Sequence, residues 1–118
     1  MEVHRASSAQ RRTISHFGSR GVALTPVTRL EGRGQVVCFE LEPGGVIGRH
    51  RGGTAQVLLV LEGSGWASGE DAVRQPIAPG DRVVWAAGEE HETTTDVGMT
   101  ALVVECESLV GSDPVRRL

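Results

Sequence analysis

At 118 residues the chain has the length of a single domain, enough for one real hydrophobic core. Hydrophobic residues make up 39%, yet no apolar run approaches the ~18 residues of a membrane span, and a net charge of -3 with interspersed acids and arginines excludes a basic nucleic-acid footprint. Lysine and tyrosine are absent, which excludes a Schiff base, a lysine general base and a phenolic acid.

Met1 to Arg12 is polar and lacks the apolar stretch of a secretory signal, so a cytoplasmic location is expected. Residues 1–21 read as an N-terminal arm with a first strand, residues 22–107 as a β-barrel, and residues 108–118, polar and interrupted by Pro114, as a tail. Weak strand signals fall at Arg12 to Phe17, Val22 to Leu30, Trp66 to Ser68, Ala72 to Ile77 and Glu92 to Thr95. Stronger ones fall at Gln35 to Glu42, Ala55 to Glu62, Arg82 to Ala86 and Met99 to Cys106, which are rich in valine and leucine and bounded by Gly or Pro. No window carries a convincing 3.6-residue apolar period, so the chain is read as all-β. Turn signals such as Pro43-Gly44-Gly45, Gly63-Ser64-Gly65 and Pro79-Gly80-Asp81 punctuate the strands at the spacing of a sandwich or barrel.

Two glycine-framed segments stand out. Gly44 to Gly63 reads G-G-V-I-G-R-H-R-G-G-T-A-Q-V-L-L-V-L-E-G, and Gly80 to Thr95 reads G-D-R-V-V-W-A-A-G-E-E-H-E-T-T-T. Each opens at a turn and delivers one histidine, His50 or His91. Cys38 and Cys106 lie far apart in apolar segments and are read as buried, unreactive thiols, with metal binding by Cys38 a distant alternative.

This spacing resembles the cupin family, whose first motif runs G-x5-H-x-H-x3-E-x6-G and whose second runs G-x5-P-x-G-x2-H-x3-N. Gly44, His50, Gly52, Gln56 and Gly63 fall on the first without a gap; Gly80, Ala86, Gly88, His91 and Thr95 fall on the second. The resemblance covers residues 43–95 and implies an antiparallel jelly-roll β-barrel with a site inside one mouth, and a homodimer. In that dimer the arm, Met1 to Gly21, would pair along the partner's sheet edge and cover it. A complete cupin set implies three histidines and a glutamate around a metal. Here Gly52, Gln56, Ala86 and Thr95 stand where the second histidine, the glutamate, the proline and the asparagine would be.

The metal ligands carried over are therefore His50, His91 and, as a weak neutral donor, Gln56, for a divalent zinc, iron, manganese or nickel ion. Two imidazoles and an amide leave the dication without an anionic ligand; Glu40, Glu105 or Cys38 would have to supply one, and alternation alone does not decide among them. Gly52, Thr93, Thr95 and Trp85 are assigned to the pocket. Gly52 reads either as a turn residue or as room for substrate beside His50; Trp66 and Trp85 read as core packing or as pocket wall. Arg49 and Arg51 point away from His50 by alternation, and His4 and His16 read as surface residues.

Two functions follow from the resemblance and its departures. One is a small-molecule-processing, metal-dependent enzyme of the dioxygenase or isomerase type; the other is a metal-free barrel that binds a small ligand as sensor or carrier. No nucleophile–base pair is visible, so no catalytic residue is assigned, and neither nucleic acid nor membrane is expected as a partner.

Overall fold

The computed structural model describes residues 1–8 and 10–109. Eleven strands form among them: β1 (Glu2–His4), β2 (Arg12–Ile14), β3 (Val22–Leu24), β4 (Leu30–Leu41), β5 (Val46–Arg51), β6 (Ala55–Gly63), β7 (Gly65–Ser68), β8 (Gln75–Ile77), β9 (Arg82–Trp85), β10 (Glu90–Thr94) and β11 (Met99–Leu109). One antiparallel sheet runs β1-β9-β6-β11-β4, a second runs β5-β10-β7-β8, and β2 pairs with β3 as a separate hairpin. The two large sheets face one another as a jelly roll. Among the described residues, no helix is long and apolar enough to cross a membrane.

Alternation explains the core. Leu58 and Val60 of β6, Val83 and Trp85 of β9, and Met99, Ala101 and Val103 of β11 face inward and are buried. Ala67 and Ile77 come from the opposing sheet, and Phe39 and Leu41 close one side. The outward row of β4 includes Val36 and Cys38, both exposed. The expectation of two buried thiols therefore holds for Cys106 and fails for Cys38, which sits opposite Leu102 on the outer face of an edge strand. Both cysteines are free.

Beyond the expected strands, the chain forms β1 and β5. The sequence Val46-Ile-Gly-Arg-His-Arg has no run of alternating apolar residues, because β5 is a sheet edge and buries little. β1 pairs with β9 of its own chain, Val3 opposite Val83, so part of the arm covers a sheet edge within the protomer. The turn before β9 is held by the buried Asp81 carboxylate, which accepts from the backbone N–H groups of Ala6 and Ala78 at 2.8 and 2.9 Å and from Arg5 at 3.1 Å. Arg82, also buried, donates to the carbonyls of Pro26 and Val27, each at 2.9 Å, and ties the segment after β3 to the sheet. The expected tail begins later than its first residues suggest, since Ser108 and Leu109 pair with Glu31 and Leu30; residues 110–118 lie outside the described residues.

Candidate functional site

The site begins with an irregularity in β5. His91 of β10 lies opposite His50, and Thr93 lies opposite Ile47, so two steps on β10 match three on β5. This is a β-bulge with its extra residue at Gly48–Arg49. In a regular strand, Ile47 facing inward would send His50 outward. With the bulge, both line the same cavity.

Each histidine is then oriented by the backbone. His50 Nδ1 lies 2.7 Å from the carbonyl of Gly48, and His91 Nδ1 lies 3.0 Å from the carbonyl of Glu89. A carbonyl only accepts, so each Nδ1 is assigned the proton, and in the neutral ring Nε2 keeps its lone pair. The rings are 4.4 Å apart between centroids and tilted by 58°. Beneath His91 the Trp85 ring stacks at 4.6 Å and 26°, itself held by an Nε1–H donated to Ser68 O at 3.2 Å.

The opposite wall is a single rung of the five-stranded sheet. Gln56 pairs with Trp85 on one side and with Glu105 on the other. Together with the two histidines and Thr93, these side chains supply the polar part of a cavity of about 90 Å³, whose apolar part includes Phe39, Ile47, Leu58 and Val103. Glu105 is thus the carboxylate that alternation alone did not single out. It follows Met99, Ala101 and Val103 at a period of two, and the register of β11 against β6 decides its face. Glu40 and Cys38 are exposed on β4 and do not line the cavity. Larger depressions, of about 260 Å³ beside Val27 and Arg82 and about 460 Å³ beside Ala86 and Leu109, contain no such pair of imidazoles, so the smaller cavity is the candidate site.

Two sequence-derived pocket residues, Thr95 and Gly52, do not line the cavity. Thr95 is buried, but its hydroxyl donates to Ser64 O at 2.6 Å and accepts from Gly98 N at 2.9 Å, so it fastens a turn beyond the end of β10. Gly52 has no positive φ and is no ordinary glycine turn. Its N–H donates to Glu89 O at 3.3 Å and its carbonyl accepts from Gly88 N at 2.8 Å. A Cβ there would stand 2.9 Å from His91 Cε1 and 3.4 Å from Gln56 Nε2. The position faces the site, and the His91 ring fills the space that a side chain would take.

Glu89 joins these parts. Its carbonyl holds both His91 and Gly52, while its carboxylate accepts from Ala86 N at 3.0 Å and from the α-ammonium of Met1 at 2.6 Å. Burial pushes its pKa up, but the ammonium and the backbone N–H outweigh that and hold it below the usual carboxylate range. Glu89 is therefore a structural hub and not merely part of a solvated acidic loop. Arg49 donates to Gly69 O at 3.0 and 2.8 Å, and Arg51 to Glu70 and Gly88 O, so both flanking arginines are engaged away from the cavity.

No protein-family model matches the chain, and no curated protein matches it. Solved structures do. A cupin superfamily protein from Desulfitobacterium hafniense is 16% identical, with 87% of each chain covered and a TM-score of 0.61. The chain folds as a cupin. A sugar phosphate isomerase from a cupin superfamily of Silicibacter pomeroyi is 24% identical over 70% of this chain and 59% of that one, with a TM-score of 0.56. A salicylate 1,2-dioxygenase from Pseudaminobacter salicylatoxidans is 14% identical over 61% of this chain and 20% of that one, with a TM-score of 0.58.

The resemblance implies a metal where the full motif is present. Among the described residues, no group of three or more His, Cys, Asp or Glu side chains is placed to hold an ion. His50, His91 and Glu105 line one cavity with the neutral Gln56 amide, but the three ionisable side chains do not converge as one ligand group, and a catalytic zinc site needs three convergent protein ligands. The residues present do not fit a resident divalent metal.

Two outcomes follow. Gly52→Ala should lower unfolding free energy by about 1–3 kcal/mol, the range for overpacking. Gly53→Ala, whose added Cβ meets nothing within 4 Å, should stay within about 0.5 kcal/mol of the wild type, both read by urea denaturation. Because Glu89 has a lowered folded-state pKa, its contribution is complete above about 4.3 and is lost as pH falls through the lowered value. Urea midpoints at pH 7 and pH 3.5 should therefore differ less in Glu89→Gln than in the wild type; an equal difference would remove Glu89 from the account.

Proposed function

We propose that this cupin binds and processes a small organic molecule in the barrel mouth between His50, His91, Gln56 and Glu105, without a resident metal. The carrying observation is the histidine pair, with both Nδ1 atoms satisfied by backbone carbonyls and both rings lining one cavity. An apolar cavity with a few convergent polar groups is the usual form of a small-molecule site. Two imidazoles and a carboxylate can accept hydrogen bonds from a ligand or carry its proton. On this reading the chain is a sensor, a carrier or an acid–base catalyst, and the first test separates it from a metalloenzyme. Protein purified without chelators should contain well under one equivalent of zinc, iron, manganese or nickel. His50→Ala and His91→Ala should each abolish the thermal stabilisation given by metabolite-class ligands in the wild type.

A metal-dependent reading, of the isomerase or dioxygenase type, is favoured by one observation. Metal-ligating histidines hold their second nitrogen on a carbonyl or carboxylate in this way. One equivalent of metal, lost on substituting either histidine, would establish that reading in place of the first.

We also propose a homodimer. β2 and β3 pair with each other but pack substantially against no other element, and an isolated hairpin is marginal in water. Phe17, at its tip, is 91% exposed with φ 62°. A second copy of the chain, laid over this hairpin, would bury both. Light scattering should give twice the protomer mass, and Phe17→Asp should shift it towards the monomer; a monomeric wild type would end this proposal.

A further inference from the structure

The charge of the cavity wall carries an inference about what enters it, resting on the proposed small-molecule reading. None of the lining residues is arginine, and the chain has no lysine. The arginines nearest in sequence to His50 are committed elsewhere: Arg49 to Gly69 O, and Arg51 to Glu70 and Gly88 O. Glu89 and Glu90 have their own cations, the Met1 α-ammonium at 2.6 Å and Arg51 at 3.8 Å. Glu105 has no ion pair among the described residues, and it faces the cavity half-buried.

The remaining polar groups act in the same sense. His50 and His91 turn their donors to the backbone and keep Nε2 as an acceptor, and Gln56 adds an amide oxygen. Phe39 contributes an aromatic ring to the wall. A partly desolvated carboxylate without a counter-ion is costly, and an aromatic face attracts cations. An incoming anion would meet the Glu105 carboxylate and imidazole lone pairs, with only the uncharged Gln56 amide and Thr93 hydroxyl as donors.

We infer that the ligand is a small organic cation, a protonated amine or a guanidine, whose N–H groups are shared between Glu105 and the histidine Nε2 atoms. With about 90 Å³ available, its charged end has only a few heavy atoms. Phosphate and carboxylate ligands are disfavoured, so the substrate class of the structurally similar sugar phosphate isomerase does not transfer to this chain.

The test is a titration of the full chain, labelled with ¹⁵N in histidine, at pH 7.5, with ethylammonium, methylguanidinium, acetate and inorganic phosphate in turn. The two cations should shift the Nε2 resonances of His50 and His91 saturably, and the two anions should not. Glu105→Gln, which preserves shape, should weaken the cation response at least tenfold. Saturable shifts with acetate or phosphate but not with the cations would overturn the cation assignment and leave the small-molecule site standing. Unchanged cation affinity in Glu105→Gln would overturn the role of Glu105. Silence of both histidines to all four probes would overturn the inference and count against the site as well. The wild-type comparison of cations with anions decides the class even if the variant folds poorly.

Discussion

The extra residue in β5 is the constraint on which the site depends. A strand places alternate side chains on opposite faces, so Ile47 and His50 would face opposite ways in a regular strand. The bulge at Gly48–Arg49 lets both Ile47 and His50 line the cavity, and the Gly48 carbonyl accepts a hydrogen bond from His50 Nδ1. An edge strand is where such a distortion costs least, since only one neighbour's ladder is disturbed. The sheet edge thus supplies a residue that the interior of a regular sheet would not present.

On the facing strand, orientation comes from the turn between β9 and β10. Glu89 uses its carbonyl on His91 and Gly52 and its carboxylate on Ala86 and the Met1 ammonium. The strand β1, which covers β9, is thereby tied to the ring that lines the cavity. Stability at this end of the barrel and the aim of His91 are one network, so changes at Glu89 act on the site through another residue.

Much of the fold was legible in the residues. The alternating runs at Ala55 to Glu62 and Met99 to Cys106 become the central strands β6 and β11, and the glycine turns fall between strands. The motif spacing brought His50 and His91 to one place, directly opposite each other. What escaped had physical causes. β5 has no apolar rhythm because it is an edge, and a bulge defeats parity arguments. Glu105 could be placed only by its register against Gln56, which is a long-range property. Thr95 obeys the motif's spacing, but its hydroxyl is spent on Ser64 and Gly98. Cys38 sits in an apolar run whose strand leaves one face uncovered.

Gly52 explains why the site differs from a metal centre by more than one missing ligand. In the full motif this position is histidine, and its Cβ direction still points at the cavity side chains. Yet the ring of His91 stands 2.9 Å from that Cβ position, stacked on Trp85 and held by the Glu89 carbonyl. Two independent contacts therefore hold His91 where a second β5-end ligand would need space. A histidine introduced at position 52 would have to displace His91 before it could share a metal with it. A cavity settled in this way keeps its two imidazole lone pairs and its carboxylate for hydrogen bonding, which is the chemistry its remaining side chains support.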